Sequence, residues 1–133
     1  MIYALDSNIV SYALKDDEAI LSRIEEEAAR KNSIVIPPIV YYEVKRWLYL
    51  TQSIRKERSF KNLCGQAVAP LDEDTLEKAA QIYAQLTRIG KLTSDADILI
   101  AAFCIVNQYV LVTNNEKHFI DIEGLKMTNW AAS

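Results

Sequence analysis

Three carboxylates stand where an apolar segment begins, ends or is interrupted. Asp6 closes the run Ile2-Tyr3-Ala4-Leu5, Glu43 breaks a stripe that Ile39, Trp47 and Leu50 share at helical spacing, and Asp97 directly precedes the nine uncharged residues Ile98 to Val106. An acid entering a core needs a partner, because burying an unpaired charge is costly. If the three converge, they repel one another unless protonated or bridged by a cation. An all-oxygen set with water present suits a hard divalent ion, Mg²⁺ or Mn²⁺, better than zinc. Such an ion activates a water and holds phosphoryl oxygens, so the chemistry open to this trio is in-line hydrolysis at phosphorus.

A purely structural role stands beside each acid. Asp6 or Ser7 can cap a following helix, Ser94-x-x-Asp97 fits a capping box with Asp95 as an alternative cap, and Glu43 can pair with Arg46 one turn on. Only convergence in space separates a ligand from a cap.

The elements that must position these residues are legible from periodicity. Ile2 to Leu5 reads as a buried strand feeding a short helix with Ile9, Val10, Tyr12, Ala13 and Leu14. Asp16 to Arg30 follows as an amphipathic helix with Ala19, Ile20, Ile24 and Ala28 inside and a solvated run of glutamates outside. Ser33 to Ile36 is a second strand, and Pro37-Pro38 opens the helix that carries Glu43 and the aromatic residues Tyr41, Tyr42, Trp47 and Tyr49. Ile54 to Leu63 is a helix closed by Gly65, and its Arg55, Lys56, Arg58 and Lys61 form the densest basic cluster. Ala67 to Leu71 is expected to be a third strand. Asp74-x-x-Glu77 then caps a helix whose stripe is Leu76, Ala79, Ala80, Tyr83 and Leu86. The segment after Asp97 is apolar all round and too short to span a bilayer, so it is a buried helix. Tyr109 to Thr113 is a strand with Asn114, Asn115 and Glu116 at its carboxyl end, and Leu125 to Thr128 is a final edge strand. Alternation of this kind implies an α/β fold: a mostly parallel sheet covered by helices on both faces, with ligands bound beyond the carboxyl ends of its strands.

With 133 residues, half of them hydrophobic, the chain fits one globular domain over residues 1–133 with room for a core. Neither a signal peptide nor a membrane span is apparent, so a cytoplasmic protein is expected. Cys64 and Cys104 form no disulfide framework, His118 is the single histidine and adds no ligand cluster, and three glycines leave no phosphate-cradling loop. A net charge of -3 argues against broad coating of nucleic acid but not against a local basic groove. Lys45 and Arg46, together with Arg55 and Arg58, are the residues from which a phosphate track could be built.

Ile2-Tyr3-Ala4-Leu5-Asp6-Ser7-Asn8, Tyr42-Glu43-Val44, Asp97-Ile98-Leu99-Ile100-Ala101-Ala102 and Val112-Thr113-Asn114-Asn115 resemble, in order and spacing, the PIN-domain ribonucleases, especially the VapC toxins of bacterial and archaeal toxin-antitoxin pairs. Each motif alone is weak, and four in register are specific. The resemblance implies a five-stranded PIN-type sheet, Mg²⁺- or Mn²⁺-dependent endoribonuclease activity on an RNA substrate, homodimerisation, and a cognate VapB antitoxin that wraps the toxin and occludes its acidic site. It carries Asp6, Glu43 and Asp97 over as the catalytic, metal-holding acids, Glu43 directly or through water, with Asn8 and Thr113 as polar neighbours. Where many relatives have a fourth acid this chain has Asn115; Glu116 beside it, or a site of three carboxylates, are the alternatives. Asp95 matches no required position. A haloacid-dehalogenase pattern fails because its second acid is Asn8 here, and a receiver domain fails because no acid follows the Ile34 strand. The remaining rival is a non-catalytic PIN-like module that binds RNA or a protein partner.

Overall fold

The computed structural model describes residues 1–65 and 68–131. β1 (Ile2–Leu5) leads into α1 (Ser7–Leu14) and α2 (Glu18–Ala29), then β2 (Ser33–Val35), α3 (Pro38–Thr51), α4 (Ile54–Cys64), α5 (Glu73–Arg88), α6 (Asp95–Asn107), β3 (Val110–Val112), a 3₁₀ turn (Glu116–His118) and β4 (Met127–Thr128). The strands form one parallel sheet in the order β2-β1-β3-β4. From β1 the chain moves to one neighbour, β2, and then crosses back over β1 to β3. The crevice between the carboxyl ends of β1 and β3 is therefore the switch point where such sheets bind ligands.

Local chemistry explains the boundaries. Pro38 occupies the first turn of α3, where a missing N–H costs nothing. Ser53 caps α4 by accepting from Lys56 N, and Gly65 follows the helix at a positive φ of 71°. Ser94 caps α6, and Gln108 ends it in the left-handed region while Tyr109 N reaches back to the Cys104 carbonyl. As its composition demands, α6 is sunk in the core, with Ile98, Ile100, Ala101, Ala102, Phe103 and Cys104 all buried. It packs on α5, α3 and β3, while α1 packs on α2, α3 and α4. Both cysteines are free, and burial pushes the Cys64 thiol up to about 11 and raises Cys104 as well.

Four expectations are corrected. Among the described residues the sheet has four strands rather than five: Val68 to Leu71 forms no strand, being largely exposed and holding Pro70, which cannot donate to a ladder, while Ala67 lies outside the described residues. Asp72, not Asp74, caps α5 by accepting from Thr75 N at 2.9 Å. The buried face of α5 is Thr75, Ala79, Ile82 and Leu86, whereas Leu76, Ala80 and Tyr83 are exposed. Both sets have helical spacing, and only packing on α6 chooses between them. Lastly, Glu27 of the supposedly solvated run is 1% exposed and Ala28 faces solvent. Burial raises the Glu27 carboxyl, but hydrogen bonds from Arg30 Nη1 at 2.8 Å and Asn32 Nδ2 at 3.4 Å outweigh it and hold the group below its ordinary range.

Candidate active site

Asp6 sits one residue past β1, at the switch point. Its backbone N–H still belongs to the sheet, donating to the Val112 carbonyl at 2.9 Å, so the side chain is held at the edge of the core and is only 4% exposed. Each carboxylate oxygen has one donor: Ser7 N on Oδ1 at 2.8 Å, and the Thr113 hydroxyl on Oδ2 at 2.7 Å. The first contact makes Asp6 the N-cap of α1 as well. Burial nevertheless raises its carboxyl above the ordinary range, the Asp97 charge adding to the rise while Thr113 and Ser7 pull against it. One residue thus fills the capping role and the site role together.

Glu43 reaches the same place from α3. The core face of that helix is Val40, Val44 and Leu48, so the Ile39-Glu43-Trp47-Leu50 stripe lies beside the core rather than within it, with Leu50 exposed. The alternative, an ion pair with Arg46, is not formed: the Arg46 guanidinium lies over the Tyr42 ring, 5.2 Å from its centroid. Glu43 Oε1 is buried without a hydrogen-bond partner. Burial and the Asp6 charge raise the Glu43 carboxyl, with Arg46 and the Ser7 hydroxyl pulling the other way.

Asp97 stands in the first turn of α6. Its backbone N–H donates to Ser94 Oγ at 3.2 Å, which is half of the capping box; the carboxylate does not complete the box but turns outward. There its Oδ2 accepts from the Thr93 hydroxyl at 3.4 Å and lies 3.2 Å from His118 Nδ1. Asp95 is exposed and apart from the site.

The rim is polar. Asn8 Oδ1 accepts from Asn114 N at 3.4 Å, and Asn115 N donates to the Thr113 hydroxyl oxygen at 3.0 Å, so that the hydroxyl links the turn after β3 to Asp6. Asn115 and Glu116 are exposed, and Glu116 Oε1 accepts from Asn129 Nδ2 at 3.2 Å. Of the basic residues singled out, Lys45 is paired with Glu57, Arg55 with Asp16 at 3.0 Å, and Arg46 stacks on Tyr42. Ser7, Thr93 and His118 join the site without having been anticipated for it. Ser7 was legible beside Asp6, whereas Thr93 and His118 owe their place to the meeting of two distant connections.

On the other side of Glu43 a groove of about 860 Å³ runs between α1 and α3, lined by Leu14, Val44, Trp47 and Leu50 and ending at Ser7, Asn8 and Glu43.

Among the described residues, no three His, Cys, Asp or Glu side chains stand close enough to enclose an ion as placed. The donor set still fits a hard divalent cation. The Asp97 charge acts on Asp6, both of these charges act on Glu43, and the buried Oε1 of Glu43 has an unused lone pair. Mg²⁺ suits such an open arrangement because it keeps several waters and takes one or two carboxylates.

The PIN domain profile matches residues 3–125. This chain belongs to the PIN-domain family. It is 30% identical over 131 residues to Ribonuclease VapC2 of Haemophilus influenzae, spanning 96% of this chain and 97% of that one. With Ribonuclease VapC2 of Rickettsia felis the identity is 29% over 134 residues, 98% of each chain. Among solved structures it is similar to a chain of VapBC2 from Rickettsia felis bound to a promoter DNA fragment, with a TM-score of 0.84 and 28% identity over 98% of this chain and 100% of that one. VapBC-1 from nontypeable Haemophilus influenzae superposes with a TM-score of 0.83 at 25% identity, over 98% of both chains.

Proposed function

We infer that this protein is an endoribonuclease that hydrolyses RNA phosphodiester bonds with Mg²⁺ or Mn²⁺, and that it is the toxin of a VapBC-type toxin-antitoxin pair. The observation that carries the reading is the convergence of Asp6, Glu43 and Asp97 at the β1/β3 switch point, with a buried Glu43 oxygen left unpartnered. The ribonuclease names of its relatives and the toxin-antitoxin assemblies among its structural neighbours support it.

Asp6, Glu43 and Asp97 are the residues that would hold the ion, with Asn115 as a neutral fourth oxygen. When bound, the ion supplies a nucleophilic water at neutral pH and stabilises charge on the phosphate. Thr113 and Ser7 orient Asp6, and Thr93 with His118 orients Asp97. A segment of a VapB-type antitoxin fits the apolar groove between α1 and α3, which ends at Glu43, so that its occupant covers the acids. The exposed Leu76, Ala80 and Tyr83 of α5 offer an apolar face for a homodimer. Among the described residues no helix is long and apolar enough to cross a membrane. The expected location is the cytoplasm.

Asn115 favours one second reading, a PIN-like binding module without catalysis. Cleavage of single-stranded RNA with Mg²⁺, Mn²⁺ or EDTA, by the native protein and by Asp97→Asn, separates the two. Metal-dependent cleavage that the substitution reduces by more than the roughly 10- to 100-fold cost of losing an outer partner supports the nuclease. RNA binding with no cleavage under any metal supports the module.

A further inference from the structure

A second, smaller notch of about 240 Å³ shares no lining residue with the apolar groove. The α5–α6 connection provides one wall with Lys91, Leu92 and Thr93, and the 3₁₀ turn after β3 provides the other with Lys117 and His118. The notch abuts the site directly, because two of its lining residues, Thr93 and His118, are the same two that contact Asp97 Oδ2, at 3.4 and 3.2 Å. Lys91 and Lys117 are exposed and, among the described residues, neither is in an ion pair; Asp121 is the one acid in the lining. By contrast, the denser basic cluster of α3 and α4 is partly committed, Lys45 to Glu57 and Arg55 to Asp16.

We propose that this notch is a phosphate subsite for the RNA chain, binding a phosphodiester next to the one that is cut, with Lys91 and Lys117 as its cations. The proposal rests on the ribonuclease reading and adds the course of the substrate. Two lysines beside three carboxylates give the polyanion a foothold where the acids alone would repel it. A strand held in the notch passes Asp97 before it reaches Asp6 and Glu43. The apolar groove beyond Glu43 is then left to a protein partner, and both occupants meet at the acids. Lysine suits this task, being a flexible point charge that contacts a phosphate without dictating sequence.

The test is fluorescence anisotropy with a labelled single-stranded oligoribonucleotide of mixed sequence, in EDTA so that nothing is cut, over a range of salt concentrations. Each phosphate contact on a single strand contributes roughly 0.7 to the slope of log affinity against log salt. Lys91→Ala with Lys117→Ala is expected to weaken binding and lower that slope by about 1.4. Lys91→Arg with Lys117→Arg should restore both, and Lys126→Ala, just before β4 at the opposite end of the sheet from the acids, should change neither. With metal supplied, the double alanine variant should raise KM and keep kcat. Unchanged affinity and slope in that variant, in a protein that still cleaves RNA, overturn the subsite and leave the nuclease standing; loss of affinity in Arg55→Ala with Arg58→Ala alone would put the strand along α4 instead. A native protein that neither binds nor cleaves RNA overturns the ribonuclease reading, and the subsite with it.

Discussion

The Thr113 hydroxyl donates to Asp6 Oδ2 at 2.7 Å, joining residues 107 positions apart in the chain, and both are buried. β1 and β3 are parallel neighbours with Leu5 opposite Val112, so the residues that follow them, Asp6 and Thr113, emerge side by side. A hydrogen bond to a buried carboxylate contributes about 1.5–3 kcal/mol. Thr113→Val keeps the shape and removes the donor. It is expected to lower stability by about that amount in urea unfolding and to weaken metal binding, whereas Thr113→Ser restores most of both. A melting curve for Thr113→Val identical to the native one would show that the hydroxyl does not hold Asp6.

Glu43→Gln separates a ligand from a structural acid. The substitution removes a charge that burial and Asp6 both disfavour, so the metal-free protein should melt at the same temperature or higher. RNA cleavage should fall more than about a hundredfold, since a ligand matters more than the outer partners whose loss costs roughly 10- to 100-fold. Full activity with a slightly lower melting temperature would mark Glu43 as a structural charge, of a kind that contributes only about 0–1 kcal/mol when exposed.

Stability of the metal-free protein should fall as pH rises from the ordinary carboxylate range through the raised values of Asp6 and Glu43. Asp6 and Glu43 have carboxyls raised in the fold above their ordinary values of 3.8 and 4.5, so in that interval the native state binds more protons than the unfolded chain. Stability is therefore gained as pH is lowered through the raised values toward the ordinary ones. Glu27 and Asp72 are shifted the other way, and their contribution is lost once pH falls below the ordinary range. Urea midpoints measured in EDTA across this range should pass through a maximum in mild acid, and Asp6→Asn should flatten the limb on the neutral side. A steady rise of the midpoint up to neutral pH in the native protein would contradict the crowding of the acids.

Divalent metal should raise the melting temperature in neutral solution, because it binds the native state alone; at a free concentration a hundred times Kd the gain is about 2.7 kcal/mol. Asn115→Asp should tighten that binding by adding a charge where the native chain offers a neutral oxygen, and should lower the stability of the metal-free protein through added repulsion. Calorimetry with Mn²⁺ and melts in EDTA read the two effects. Affinity and melting both unchanged would place Asn115 outside the acidic pocket.

Alternating apolar runs and polar strand ends were enough to foresee a parallel α/β sheet, the burial of α6 and the meeting of Asp6 with Thr113 at the ends of β1 and β3. These follow from the sequence because burial of an uncharged run and the parallel register of strands leave few placements for an acid that ends one or interrupts another. Other features had no local signal. Thr75, Ala79, Ile82 and Leu86 compete with Leu76, Ala80 and Tyr83 as the inner face of α5, and both obey the helical period, so contact with α6 decides. Glu27 looks like its solvated neighbours until Arg30 and Asn32 close on it. His118 and Thr93 reach Asp97 from connections that no spacing relates, since a turn after β3 and a loop before α6 become neighbours only when the sheet is assembled. Sequence by itself determined which residues could do chemistry, because residue type and periodicity are local properties; tertiary structure decided which of their charges meet, because that depends on the crossing of the chain back over β1.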